Sequence, residues 1–293
     1  MENTRIGLAL GSGGARGSAH VGVLSVLEEN GIKPDVIVGT SMGAQVGGAY
    51  AAGVGIDELA ETWRSMNFAK VARTLLPTIP WSGWSSGREV MRTIRRLAGE
   101  RTIDELPIKF AAVATDLEEG VPYAITSGSL ARAIRASLSV PGLLTPVWID
   151  GHLLIDGGVS DPLPVDVARS LGATKVIAVD VLVRPDEVSM SGIPVQDYGE
   201  RILGIAKQMR LENETTEERH RYYPNVFSVL FQMSTIFQKR LCDLSLQVAL
   251  PDVLIRPDFS PDPPCYSNVK SGIEAGEEAA RRALPEILAL VGR

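Results

Sequence analysis

Histidine is scarce in this chain, with only His20, His152 and His220 among 293 residues. Any site built on an imidazole therefore has few candidates, each of which can be weighed by its place in the chain. Cysteine is scarcer still. Cys242 and Cys265 show no metal or redox spacing, and they neither demand nor exclude an oxidising compartment. Positive charge is in deficit, with 29 Lys and Arg against 35 Asp and Glu, a formal net charge of −6. No global basic field is available to gather nucleic acid. No uncharged apolar run approaches the roughly 20 residues that span a bilayer. The N-terminus enters a strand almost at once and then meets glycines and Arg16, without the longer apolar stretch and small-residue cleavage site of a secretory signal, so none is expected. The expectation is a soluble, cytoplasmic protein with membrane contact at most peripheral. Repeats, low-complexity linkers and composition shifts are also missing, so residues 1–293 read as a single α/β domain.

Strand and helix signals alternate along the chain. Ile6 to Leu10 reads as a strand running into Gly11-Ser12-Gly13-Gly14-Ala15-Arg16-Gly17, with Ser18 capping a helix through Leu27. Val36 to Val38 is a β-branched strand and Ala44 to Ala52 a small-residue helix. Leu59 to Met66 reads as a short helix, Phe110 to Thr115 as a strand, and Ala131 to Leu138 as a helix. Val147 to Asp156 reads as a hairpin turning at Asp150-Gly151. Val165 to Leu171 is helical, Lys175 to Val183 a buried strand, and Val253 to Arg256 a last short strand. Residues from about Ile193 to Leu250 read as helical with breaks, including a charged, solvated stretch from Leu211 to Arg221. A final helix over Ile273 to Val291 should be kinked or split by Pro285. Such alternation predicts one parallel or mixed sheet with helices on both faces.

Gly-rich turns between strand and helix present backbone N–H groups to an anion. In Gly11 to Arg16 the third glycine of the dinucleotide fingerprint is replaced by Arg16, and no acidic residue closes the second strand. A nucleotide site is therefore not expected. Instead the second strand ends in Gly39-Thr40-Ser41-Met42-Gly43, a G-x-S-x-G turn between strand and helix. That context places a serine on a strained turn, with Gly39 and Gly43 where side chains would collide. Gly83 to Gly87 repeats the pattern around Ser85, but no strand precedes it. Trp81 and Trp84 lie just before Arg88, Arg92, Arg95 and Arg96, which share one side of a helix. This grouping fits an anionic lipid surface or a solvated face with packed tryptophans equally well.

A serine nucleophile needs a base and its carbonyl needs oxyanion donors. None of the histidines occupies a loop at the end of a strand, so all read as structural. Asp156 ends an apolar strand, and Gly157-Gly158 then lead towards a helix; Asp150-Gly151 is an ordinary turn. In this order Gly11–Gly17, Gly39–Gly43 and Asp156–Gly158 resemble the patatin-like phospholipase family. Ala19 to Leu24, Ala114 to Leu117 and Ser139 to Gly142 are similar to its bacterial and neuropathy-target-esterase-like branch. The likeness covers about residues 5–185; the helical part from about 190 to 293 carries over no site.

The resemblance implies a three-layer α/β/α fold with a mostly parallel central sheet. It implies a Ser41–Asp156 dyad, with Gly157 and Gly158 completing the acid motif. An oxyanion hole would form at Gly13, Gly14, Ala15 and Arg16, and Arg16 could steady that loop or meet a lipid phosphate. No metal or organic cofactor is implied. The expected substrate is a phospholipid or lysophospholipid acyl ester. An acyltransferase, or a regulatory membrane- or protein-binding module of the same fold, is the alternative. Because only Ser41 follows a strand, fluorophosphonate labelling is predicted to vanish in Ser41→Ala and to persist in Ser85→Ala. Labelling with the opposite dependence, read by intact mass, would overturn the assignment.

Overall fold

The computed structural model of the chain describes residues 4–65, 85–184, 226–259 and 268–293. Strands β1 (Ile6–Leu10), β2 (Val36–Thr40), β3 (Lys109–Asp116), β4 (Pro122–Ile125), β5 (Val147–Ile149), β6 (His152–Asp156), β7 (Lys175–Val179) and β8 (Val253–Ile255) form one sheet. Its order is β5-β6-β3-β2-β1-β7-β8, with β4 paired to β3. The pairs around β1, β2 and β7 are parallel, and those of β4, β5 and β6 are antiparallel. The sheet is thus mixed and mostly parallel.

Period-2 alternation divides the strands between two apolar layers. Leu8, Leu10, Ile37, Phe110, Ala112, Ile177 and Val179 face one side; Ala9, Val36, Val38, Ala111, Val113, Val176 and Ala178 face the other. Over the first layer lie α1 (Ser18–Glu29), α2 (Met42–Ala51), α3 (Ile56–Arg64), α4 (Arg88–Ala98), α5 (Leu130–Ser137) and the C-terminal α8 (Lys270–Leu290). Over the second lie α6 (Val165–Ser170) and α7 (Val226–Val248). The result is three layers, α/β/α. α8 packs on α1 at backbone distance. A Cβ on Gly22 would fall 2.0 Å from Ile273 O, and one on Gly276 would fall 2.1 Å from Ala19 O.

Several elements depart from expectation. Ser18 is the first residue of α1 rather than its cap: a 3₁₀ turn, Gly14–Gly17, runs straight into the helix, and Ser18 Oγ donates to Ala15 O. Strand β4 was not anticipated. It opens with Pro122, which suits the first residue of an edge strand, and the Asp116 side chain nucleates the turn before it by accepting from Glu118 and Glu119 N–H. α8 is not split at Pro285: it runs from Lys270 to Leu290 with the proline inside it and packs on α1. The hairpin turns at Asp150 and Gly151, both at positive φ, as a tight hairpin turn requires. Arg88, Arg92, Arg95 and Arg96 are exposed on α4, and Arg92 and Arg95 pair with Glu89 and Glu100. Trp81, Trp84, Cys265, His220 and the Leu211–Arg221 stretch lie outside the described residues. Among the described residues no helix is long and apolar enough to cross a membrane.

Asp161 is buried, and its Oδ2 has no hydrogen-bond partner among the described residues. Burial, with Asp166 nearby, pushes its pKa up to about 7. A carboxyl whose folded pKa exceeds its unfolded value of about 3.9 contributes stability present at acid pH and lost as pH rises through the folded pKa. Asp161→Asn, which resembles the protonated acid, is predicted to stabilise the protein above neutral pH by about 1–2 kcal/mol. The pH dependence of urea unfolding should flatten in the variant; an unchanged profile would contradict this.

Candidate active site

The register of β3 brings the key residues together. β2 pairs with β3 up to Thr40↔Val113, and β6 pairs with it from Asp156↔Ala114. β4 pairs with residues that overlap both sets, from Ala112 to Thr115, so it occupies the opposite edge. β2 and β6 therefore share one edge of β3 and meet head to head. The chain leaves that edge at Ser41 where Asp156 arrives. Ser41 Oγ donates to Asp156 Oδ2 at 2.6 Å, and both residues are buried. The meeting point lies at the C-terminal ends of β1 and β2, where β1 has β2 on one side and β7 on the other. Open α/β sheets place their ligand crevices at such a switch point.

Ser41 stands between β2 and α2 at φ 54°, ψ −114°, a conformation that non-glycine residues rarely adopt. The flanking glycines make that turn possible. A Cβ on Gly39 would lie 2.4 Å from Ala44 N, and one on Gly43 would lie 2.1 Å from Leu10 O. The Ser41 N–H donates to Ser137 Oγ at 2.7 Å, a contact the sequence did not suggest. Ser85 has no such setting. It forms an isolated bridge with Leu144, and its Oγ accepts from Gly87 N–H.

The glycine-rich segment follows β1 and lies beside the Ser41 turn. Gly11 N–H donates to Val179 O and Ser12 N–H to Pro162 O, which pins the start of the segment. His20 is buried beneath it, with Nε2 2.8 Å from Gly11 O. A carbonyl only accepts, so Nε2 carries the proton, and burial pulls the pKa of this histidine down to about 4. The 3₁₀ turn leaves its first N–H groups, those of Gly14 and Ala15, without intrahelical partners. Gly13 precedes them, so close to Val181 O that a Cβ would fall 2.6 Å away. Arg16 differs from these neighbours. Its N–H already donates to Gly13 O, and its buried guanidinium lies over the Phe259 ring and donates to Leu182 O. It braces the loop from within rather than offering an N–H or meeting a lipid phosphate.

Asp156 is held at every polar atom. Its N–H donates to Ser139 O, its carbonyl accepts from Thr115 Oγ1, and its Oδ1 accepts from Gly158 N–H at 2.7 Å. Gly157 O accepts from Ser160 and Asp161 N–H, closing the turn after the acid. Burial pushes the Asp156 pKa up to about 6, against the opposing pull of the hydrogen bonds from Ser41 and Gly158. It is thus mostly ionised at neutral pH yet a far better base than an aspartate in water. His152 lies on the hairpin, bonded to Asp116 Oδ2 at 2.5 Å, with its ring tilted against that of Tyr123. Asp116, Glu119 and His152 bring ligand atoms within 4.8 Å of one another. The Asp116 oxygens, however, are already engaged by Glu118, Glu119 and His152, so the group braces a hairpin.

The patatin-like phospholipase model matches residues 8–169. An uncharacterised NTE family protein of Mycobacterium tuberculosis is 44% identical over 180 residues, 61% of this chain and 50% of that protein. Patatin-like phospholipase domain-containing protein 6 of Homo sapiens is 37% identical over 209 residues, 70% of this chain and 15% of that protein. The chain thus spans half or less of the length of these curated relatives. The crystal structure of VipD from Legionella pneumophila superposes with a TM-score of 0.48 at 13% identity, covering 97% of this chain and 67% of that one. With its G-x-S-x-G turn, its glycine-rich segment and its Asp-Gly-Gly motif all inside a match over more than half of its length, the chain belongs to the patatin-like phospholipase family.

Proposed function

We propose that this chain is a serine hydrolase of lipid acyl esters, phospholipids or lysophospholipids, working through a Ser41–Asp156 dyad. The observation that carries this reading is the 2.6 Å hydrogen bond between Ser41 Oγ and Asp156 Oδ2 in a buried setting. Ser41 Oγ attacks the ester carbonyl while Asp156 takes its proton, so the serine hydroxyl needs no imidazole. The oxyanion that forms accepts from backbone N–H groups at Gly13, Gly14 and Ala15; one such donor is typically worth about 2.7–4 kcal/mol of barrier. Asp156 then returns the proton to the departing alcohol and leaves the acyl group on Ser41. A water, deprotonated by Asp156, attacks the acyl-enzyme; as the second intermediate collapses, the acyl–Oγ bond breaks, Asp156 passes that proton to Ser41 Oγ, and the fatty acid leaves. Apart from the attacking water, every group that gives or takes a proton on the enzyme side of this scheme is a residue of the chain.

The membrane- or protein-binding alternative uses the same fold without turnover. Lack of labelling at Ser41 by a fluorophosphonate, in folded protein, would favour it over hydrolysis.

Asp156 must be ionised to act as base, so kcat/KM should fall tenfold per pH unit below its pKa of about 6 and level off above it. Asp156→Asn should lower kcat by ~10²–10⁴-fold with an unchanged far-UV spectrum. Asp150→Asn, in the hairpin turn, should change it little. His20→Gln, His152→Gln and His220→Gln should each keep substantial activity, His20→Gln the least because it supports the glycine-rich segment. A folded histidine variant as inactive as Ser41→Ala, beside an active Asp156→Asn, would refute the dyad.

A further inference from the structure

The C-terminal end of α5 touches both members of the Ser41–Asp156 pair through their backbones. Ser137 is wholly buried; its Oγ accepts from Ser41 N–H at 2.7 Å and donates to Val113 O at 2.6 Å. A hydroxyl has one proton to give and lone pairs to receive, so a single rotamer satisfies both bonds. Val113 is the residue opposite Thr40, the last pair of the β2–β3 ladder. Ser137 Oγ therefore splices the ladder at the step where β2 turns away. Positive φ at a non-glycine residue persists only where the surroundings fix it, and this hydroxyl is a direct restraint on the Ser41 backbone.

Two residues further on, Ser139 O accepts from Asp156 N–H at 2.9 Å. The short segment from Ser137 to Ser139 thus grips the nucleophile turn and the acid strand at once. Arg135 fixes the segment in turn. Its buried guanidinium donates to Ser139 Oγ at 2.6 Å, to Thr145 O at 2.9 Å and to Ser86 O at 3.2 Å.

We infer, resting on the hydrolase reading above, that Ser137 is a positioning residue. Its hydroxyl sets the Ser41 backbone so that Ser41 Oγ meets Asp156 Oδ2. Removing it leaves the buried Ser41 N–H without this partner and lets the turn relax away from the acid. The effect should appear in turnover rather than in substrate binding, since Ser137 is buried behind the turn. It should also appear in the pH profile, because the bond from Ser41 is one of the interactions holding the Asp156 pKa down.

The test compares Ser137→Ala, Ser137→Thr and Ser137→Val with wild type on a short-chain nitrophenyl ester, recording kcat, KM, the pH profile and thermal stability. Ser137→Ala should lower kcat on the order of 10²-fold, the scale of a small misplacement of a reacting group. KM should stay within about two-fold, and the acid limb should move above its wild-type position. Threonine and valine share a shape and differ by the hydroxyl, so any overpacking is common to both, and Ser137→Thr should retain clearly more kcat than Ser137→Val. Equal threonine and valine variants, or a Ser137→Ala enzyme with an unmoved acid limb whose loss simply follows its stability, would overturn the positioning role. If wild type neither hydrolyses the ester nor labels at Ser41, the hydrolase reading itself falls and the role of Ser137 with it. Wild-type turnover with Ser137 variants indistinguishable from it would remove the role alone.

Discussion

Along one edge of β3 the chain changes partners: β2 leaves after Val113, and β6 arrives at Ala114 from the opposite direction. A parallel strand and an antiparallel strand thus share an edge end to end. That arrangement makes residues 115 positions apart neighbours at hydrogen-bond distance. Everything else around the pair protects this junction. Gly39 and Gly43 allow the turn out of β2, Thr115 and Ser139 hold the end of β6, and α5 closes the gap from behind. A slip of one residue in β6 would send Asp156 to the far face of the sheet and separate it from Ser41.

Burial sets the protonation of the junction. An aspartate in water titrates near ~3.9 and is too weak a base to draw a proton from serine. At this site desolvation raises Asp156 to about 6, while the bonds from Ser41 and Gly158 keep it from rising further. The result is a carboxylate both ionised and basic near neutral pH. The same burial takes His20 the other way, down to about 4, which leaves it a neutral donor to Gly11 O. One apolar setting thus supplies a charged acceptor and an uncharged brace.

Much of this was legible in the sequence because the responsible patterns are local. The G-x-S-x-G turn after a β-branched run, the glycine-rich turn after β1 and the Asp-Gly-Gly ending of β6 each span only a few residues, and Gly39 and Gly43 carry a steric reason that a sequence can show. The hairpin at Asp150-Gly151 was visible for the same cause. What escaped is set by tertiary pairing. Ser137 looks like any serine near a helix end, and nothing local shows that its hydroxyl will meet the backbone of Ser41. Arg16 reads either as a brace for the loop or as a cation for a lipid phosphate, and the choice rests on Phe259 and Leu182, far along the chain, which turn it inward. Strand β4 is four residues beginning with proline, too short and too broken to register without its partner β3. Pro285 predicts a kink or a split, and α8 is not split there.

The central claim is that Ser41, Asp156 and the 13–15 segment form one reacting unit, and a crystal structure of the protein after inhibition by an alkyl phosphonate tests it most directly. The account predicts phosphorus bonded to Ser41 Oγ and its phosphoryl oxygen about 2.7–3.1 Å from backbone N–H groups of the 13–15 segment. Asp156 should still lie against the Ser41 oxygen, with no histidine in reach of it. Phosphorus on another residue, a phosphoryl oxygen pointing away from the glycine-rich segment, or an imidazole seated against Ser41 would contradict the account.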